Sequence, residues 1–241
     1  MSKILAVGTL AFDEIITPFG ETGKILGGSV SYISMAAQKL VDDIGIVSVI
    51  GKDFPDAYLQ KFIDRQIDIT GVEKLENEKT FYWKGRYHND LNKRDTLVTE
   101  VNALAHFNPI VPEHYKDADF LMLGNLHPAI QKDVIGQMRT RPKLIALDTM
   151  NFWMDTAWDD LMQVLKEIDI LIINDEEARQ LSKDYSLVRA AKIIQRMGPK
   201  YLIIKKGEHG ALLFHSKNIF FAPALPLEDV FDPRFYLHPN L

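Results

Sequence analysis

Apolar and polar positions along this chain alternate between two patterns. Short runs rich in Ile, Leu and Val occur at Ile4–Val7, Ile44–Ile50, Phe120–Leu123, Leu144–Leu147, Ile170–Ile173 and Tyr201–Ile204. Such brief, continuously apolar runs predict strands buried on both faces, as in a parallel sheet. Between them, Val30–Leu40, Asp56–Gln66, Ile130–Met138, Trp158–Ile168 and Leu187–Met197 carry apolar residues at helical spacing. The last of these ends at Met197-Gly198-Pro199, a helix stop followed by a breaker. Strands alternating with helices predict an α/β layered domain with right-handed crossovers.

Two stretches break the alternation. Glu14–Leu26 is polar and contains glycine, and Lys79–Val101 is aromatic and charged, with Phe81-Tyr82-Trp83-Lys84-Gly85-Arg86-Tyr87 at its start. Both read as strands of a small sheet projecting from the main domain. Phe81–Tyr87 fits a half-exposed packing strand and a substrate-facing lid about equally. No internal repeat, low-complexity run or linker divides the chain.

Composition narrows the classes. The 241 residues carry a formal net charge of -5 with no basic block, which speaks against a nucleic-acid partner. The absence of cysteine excludes disulfides, thiolate metal sites and Cys nucleophiles. No apolar stretch approaches the ~20 residues needed to span a bilayer, and Met1–Gly8 lacks a signal-peptide pattern. The expectation is a cytoplasmic protein with no membrane partner.

Six segments hold candidate chemistry, each at the end of a predicted strand. Gly8-Thr9-Leu10-Ala11-Phe12-Asp13 places a carboxylate after the first strand, where open α/β sheets bind ligands and where it could accept hydrogen bonds from two neighbouring hydroxyls. A turn or helix cap is its structural alternative. Leu26-Gly27-Gly28-Ser29 allows close backbone approach at a helix start, or is a tight turn with Ser29 as cap. Gly51-Lys52-Asp53 reads as structural. Asp148-Thr149-Met150-Asn151 follows a strand. Asn174-Asp175-Glu176-Glu177 joins strand to helix with Asn174 as cap, and its carboxylates could hold the water shell of Mg²⁺. Lys205-Lys206-Gly207-Glu208-His209-Gly210 is a plain hairpin or a nucleotide-facing turn whose Lys neutralises phosphate charge.

In this order and spacing the segments resemble the ribokinase-like (PfkB family) carbohydrate kinases, over nearly the whole chain to Val230-Phe231-Asp232-Pro233. The resemblance implies a ribokinase-like layered domain over residues 1–233, with a mostly parallel central sheet and a small β lid from about 14–26 and 79–101. It implies transfer of the ATP γ-phosphoryl group to a sugar or nucleoside hydroxyl, with Mg²⁺, and a homodimer formed through the lid. By carry-over Asp13, Gly27, Gly28 and Ser29 contact the substrate. Asn151, Asn174 and Glu177 manage phosphate and Mg²⁺ without a direct protein metal site, and Lys205, Gly207 and Gly210 lie near the nucleotide. Tyr32 stands where many members carry Asn, and Phe152-Trp153 where an acid-sugar branch has Arg, which counts against a carboxylated sugar. A dehydrogenase of Rossmann type is disfavoured because no G-x-G-x-x-G follows the first strand.

The family continues after Asp-Pro or Asp-Thr with Thr-Gly-Ala-Gly-Asp, the anion hole and catalytic base. Here Arg234–Leu241 follows instead, an aberrant tail with no periodicity. The expectation is a chain truncated before that motif, by nature or by frameshift, with no catalytic base of its own. A base is worth roughly 10²–10⁴ in rate and one oxyanion-type donor roughly 10²–10³, so turnover near background is expected. Asp229 and Asp232 are the nearest stand-ins, with Asp232 read as a strand terminator. A silent sugar- or nucleoside-binding protein and a nonfunctional frameshift product are the alternatives.

Overall fold

The apolar runs pair with one another. The computed structural model describes residues 2–89 and 94–226. The chain runs β1 (Lys3–Val7), β2 (Ala11–Thr17), β3 (Gly20–Gly27), α1 (Ser29–Ala37), β4 (Asp43–Gly51), α2 (Asp56–Ile63), β5 (Ile67–Leu75), β6 (Tyr82–Tyr87), β7 (Arg94–Glu100), β8 (Phe120–Leu123) and α3 (Pro128–Gln137). It continues through β9 (Leu144–Asp148), α4 (Asn151–Thr156), α5 (Trp158–Val164), β10 (Ile170–Asn174), α6 (Asp175–Ser182), α7 (Leu187–Gln195), β11 (Tyr201–Lys205), β12 (Ala211–His215) and β13 (Asn218–Ala222).

Nine strands form one sheet in the order β13-β12-β11-β10-β9-β8-β1-β4-β5. From β11 to β5 every pairing is parallel, and β12 and β13 close one edge as an antiparallel hairpin. This is a ribokinase-like α/β layered fold with a large, mostly parallel central sheet. Strand β1 shows why its run is apolar on both sides. Leu5 and Val7 enter a core with Leu121, Ile145, Leu171, Leu161 and Ile194, while Ala6 enters a second with Val30, Ile46, Phe62 and Ile67. The larger layer lies under α3–α7 and runs along the sheet, and the smaller lies under α1 and α2 on the other face of β1, β4 and β5 only. The expectation of burial on both faces therefore fails for β8, β10 and β11, where buried and partly exposed residues alternate.

A second, four-stranded sheet has the order β3-β2-β6-β7. It hangs from the carboxyl ends of β1 and β4. Leu10 N–H donates to Ser48 Oγ at 2.8 Å, and Thr80 N–H donates to Asp53 Oδ1 at 2.7 Å just before β6 begins. Thr80 Oγ1 in turn accepts from Gly51 N–H at 3.0 Å. Gly51 must be glycine, because a Cβ there would lie 2.2 Å from the carbonyl carbon of Lys79. The reading of Gly51-Lys52-Asp53 as structural therefore holds.

Some elements escape the hydrophobic pattern. Strand β5 buries only Ile67 fully and carries Gly71 at its middle. Helix α1 stops at Ala37 and gives way to turns before Leu40, which is 86% exposed. No described helix is long and apolar enough to cross a membrane. The segments after Pro226, including Asp229, Asp232 and the tail 234–241, lie outside the described residues.

Candidate active site

The first half of the site grows from the end of β1. Asp13 does not sit in a turn. It lies inside β2, only 8% exposed, in register with Ile25 of β3 and Trp83 of β6. Gly27 closes β3 directly against it, since a Cβ on Gly27 would stand 2.1 Å from Asp13 Oδ2. Gly28 follows at φ +90°, where a Cβ would meet Thr9 O at 2.2 Å. Two backbones approach here so closely that only glycine fits, as the paired glycines suggest.

Ser29 is not the cap of α1. Gly28 holds that position, and no side chain caps it. Ser29 Oγ accepts from Thr9 N–H at 3.1 Å, and Thr9 Oγ1 accepts from Ser29 N–H at 3.0 Å. The Ser29 hydroxyl fills the space beside Gly8 and Gly124, where a Cβ would lie 2.4 Å from it in either case. Ser29 thus locks the start of α1 to the ends of β1 and β8.

The second half lies on β9, β10 and β11. Asn174 and Glu177 form a reciprocal capping box. Asn174 N–H donates to Glu177 Oε2 at 2.7 Å, and Glu177 N–H donates to Asn174 Oδ1 at 2.8 Å. Glu177 is 6% exposed, and burial pushes its carboxyl up to about 7, with the neighbouring Asp148 charge adding to the rise. Asp148, at the end of β9, is likewise raised by burial, with Lys205 opposing. Lys205 Nζ stands 3.4 Å from Asp148 Oδ1. A buried Glu177 and a partly exposed Asp148 share the neighbourhood of one ammonium, so the fully ionised cluster carries more negative than positive charge.

Among the described residues no group of three or more His, Asp or Glu could cage a metal. Mg²⁺ in general keeps several waters and leans on one or two carboxylates plus substrate phosphates. Glu177 and Asp148 are the carboxylates available to it, and Mg²⁺ would supply charge neutralisation of the nucleotide phosphates.

The remaining predicted residues divide. Asn151 opens α4, and its Nδ2 donates to Gln180 Oε1 of α6 at 2.5 Å. Gly207 sits at φ +56° in the turn after β11. Gly210 has φ +82°, and a Cβ there would strike Ala222 O at 2.0 Å, so the end of β13 demands this glycine. Sequence reasoning missed Gln131. It is fully buried, and its Nε2 donates to Gly124 O at 2.8 Å and Asp148 O at 3.0 Å, tying the ends of β8 and β9 together. A glutamine within an apolar helix pattern was its only sequence signal. A cavity of about 640 Å³ lined by Thr17, Pro18, Arg86 and Tyr87 shares no residue with either half of the site.

A buried carboxylate on β2 beside Gly27, and a capped, buried glutamate with a lysine at the ends of β10 and β11, are the two halves of the candidate site. Over residues 3–234 the chain matches the pfkB family carbohydrate kinases, and it belongs to that family. It is 28% identical over 239 residues to a cytidine kinase of Thermococcus kodakarensis, a match covering 97% of this chain and 84% of that protein. Among solved structures it superimposes on a candidate ribokinase II from E. coli in complex with ATP and Mg²⁺ at a TM-score of 0.79 and 22% identity, covering 95% and 80% of the two chains. A Burkholderia thailandensis nucleoside kinase in complex with inosine gives a TM-score of 0.76 at 20% identity, covering 96% and 79%.

Proposed function

We propose that this site binds ATP with Mg²⁺ and directs the γ-phosphoryl group to a hydroxyl of a nucleoside. The observation that carries the reading is the cluster of the buried Glu177 with the partly exposed Asp148 and the exposed Lys205 at the carboxyl ends of β9–β11. Asp13 is the group to accept hydrogen bonds from two neighbouring hydroxyls, with Gly27 and Gly28 bringing backbone to the acceptor. Asn174 and Glu177 serve the Mg²⁺ and its water, Lys205 the phosphates, and Gly207 the approach of the nucleotide. A nucleoside is favoured over a simple sugar by the resemblance to a cytidine kinase and to a kinase seen with inosine. The small sheet is the lid, and the exposed Leu97 and Val98 of β7 make it the surface for a homodimer in the cytoplasm.

Calorimetry with cytidine, inosine and ribose, alongside ADP release with Mg·ATP, tests this reading. Nucleoside binding with ADP release supports it. Binding of none of the three, or binding of ribose alone, overturns it.

A further inference from the structure

The two halves of the candidate site are held to different strands. Gly124, just past β8, is tied to the half built on Asp13. Its N–H donates to Val7 O of β1 at 2.7 Å, and a Cβ on it would stand 2.4 Å from Ser29 Oγ at the start of α1. Ser29 follows Gly27 and Gly28, which pack on Asp13 and Thr9. Asp148, the last residue of β9, is tied to the other half. It is in register with Ile172 of β10, and its Oδ1 lies 3.4 Å from Lys205 Nζ of β11. Strands β8 and β9 pair with each other from Phe120 and Leu144 to Leu123 and Leu147. Gly124 and Asp148 are the next position along each strand, where that pairing has ended.

Gln131 of α3 spans this position. It is fully buried, and its Nε2 donates to Gly124 O at 2.8 Å and to Asp148 O at 3.0 Å. Two carbonyl acceptors require the amino end of the amide, since a carbonyl oxygen cannot donate. Its Oε1 has no hydrogen-bond partner among the described residues. A buried acceptor without a partner costs stability, so the two donated bonds are the part of this side chain that the fold uses. A second glutamine on the same helix supplies a comparison. Gln137 donates to Pro109 O at 2.8 Å and accepts from Val111 N–H at 2.9 Å, on a segment that holds no candidate site residue.

We propose that Gln131 is a positioning residue that couples the two halves, so that a nucleoside bound beside Asp13 favours nucleotide binding beside Asp148, and the reverse. The inference rests on the kinase reading. A ligand that shifts the Gly124 end of β8 moves one arm of the bridge, and the other arm ends on the main chain of the residue that faces Lys205. Being fully buried, Gln131 touches neither ligand and acts through Gly124 and Asp148. Coupling of this kind is reciprocal between the two ligands.

The test measures Mg·ADP affinity by calorimetry with and without a saturating nucleoside, cytidine or inosine, whichever the wild type binds. In wild type the nucleoside is expected to tighten Mg·ADP about fivefold or more, the lower end of ordinary coupling between sites. Q131M keeps the length of the side chain and removes both donated bonds, and its coupling ratio should fall to about twofold or less. Q137M makes the same chemical change on the same helix and should keep the wild-type ratio even where it loses stability. Q131E covers the case in which Q131M does not fold. A carboxyl in so buried a place stays protonated and keeps one O–H donor, so its ratio should fall below that of wild type. A wild-type ratio in Q131M, or in Q131E should Q131M not fold, overturns the role of Gln131. An equal fall in Q137M does so too, as does a wild type that binds both ligands without coupling. These three outcomes leave the kinase reading standing. A wild type that binds no nucleoside, or no Mg·ADP, overturns that reading, and this inference with it.

Discussion

At the scale of single residues, the site is built on displaced side chains. Gly27 exists so that Asp13 can occupy the space a methyl group would take. Gly27→Ala should therefore push the carboxylate aside while the fold survives, because the obstructed atoms are the end of a side chain. Nucleoside affinity is expected to fall on the order of 10-fold or more, as for a lost hydrogen bond to a charged group, with Mg·ADP affinity unchanged. Calorimetry with each ligand checks this, and equal loss of both would show a global defect instead. Glu177 makes a different prediction. Its carboxyl is raised from 4.5 to about 7 by burial, so the folded state holds a proton that the unfolded chain releases earlier. The resulting stability is full below about pH 4.5 and is lost as pH rises through about 7, with an upper bound of ~3 kcal/mol. Glu177→Gln keeps an acceptor for Asn174 N–H, so the capping box persists while the titration disappears. Denaturant melts of both proteins from pH 4.5 to 8 should show wild type losing stability relative to Glu177→Gln. A constant difference would mean that Glu177 does not titrate in that range. Binding of Mg·ADP should run the opposite way in wild type, strengthening as Glu177 ionises.

At the scale of elements, the joints between the two sheets matter most, and they explain what could be read from sequence. Asp53 precedes α2 but spends its carboxylate on Thr80 N–H, which fixes where β6 leaves the main sheet. Asp53→Ala should cost about 1–2 kcal/mol and loosen β6 and β7, visible as faster amide exchange in Tyr82–Tyr87 with the main sheet still protected. Uniform exchange across both sheets would contradict a local anchor. The central strands were legible from their short apolar runs; burial on both faces holds for β1 and β4, whereas β8, β10 and β11 alternate buried with partly exposed residues. The helices were legible because one face is core and the other water. Strand β5 was not, since one flank is open and Thr70, Glu73 and Lys74 interrupt its apolar residues. The capping box at Asn174 and Glu177 is a local device and could be read from spacing alone. Ser29 and Gln131 could not, because their partners Thr9, Gly124 and Asp148 come from distant parts of the chain.

At the scale of the molecule, the central sheet is unevenly covered. β1 and β4 carry core on both faces, whereas β13 at one edge exposes Ile219, Phe220 and Phe221 at 51%, 63% and 53%, with Leu225 beyond them at 72%. The outer edge of β13 pairs with no strand among the described residues. Flat, apolar, unpaired edges are what natural sheets usually protect with charge, proline or a covering element. Pro223 and Pro226 follow the strand, yet they lie past the apolar run and leave its backbone groups open. The 241-residue polypeptide is therefore expected to self-associate through this edge, increasingly at higher salt, as the net charge of -5 is screened. Phe220→Lys places a charge on the strand at a site that is already mostly solvent, so it should cost little stability. Light scattering over a concentration series should show larger species for wild type and a clear reduction for Phe220→Lys. The lid surface supplies the control. If Leu97→Lys on β7 reduces association and Phe220→Lys does not, the copies meet through the small sheet and β13 is shielded. If only Phe220→Lys acts, the open sheet edge governs how this chain behaves in solution.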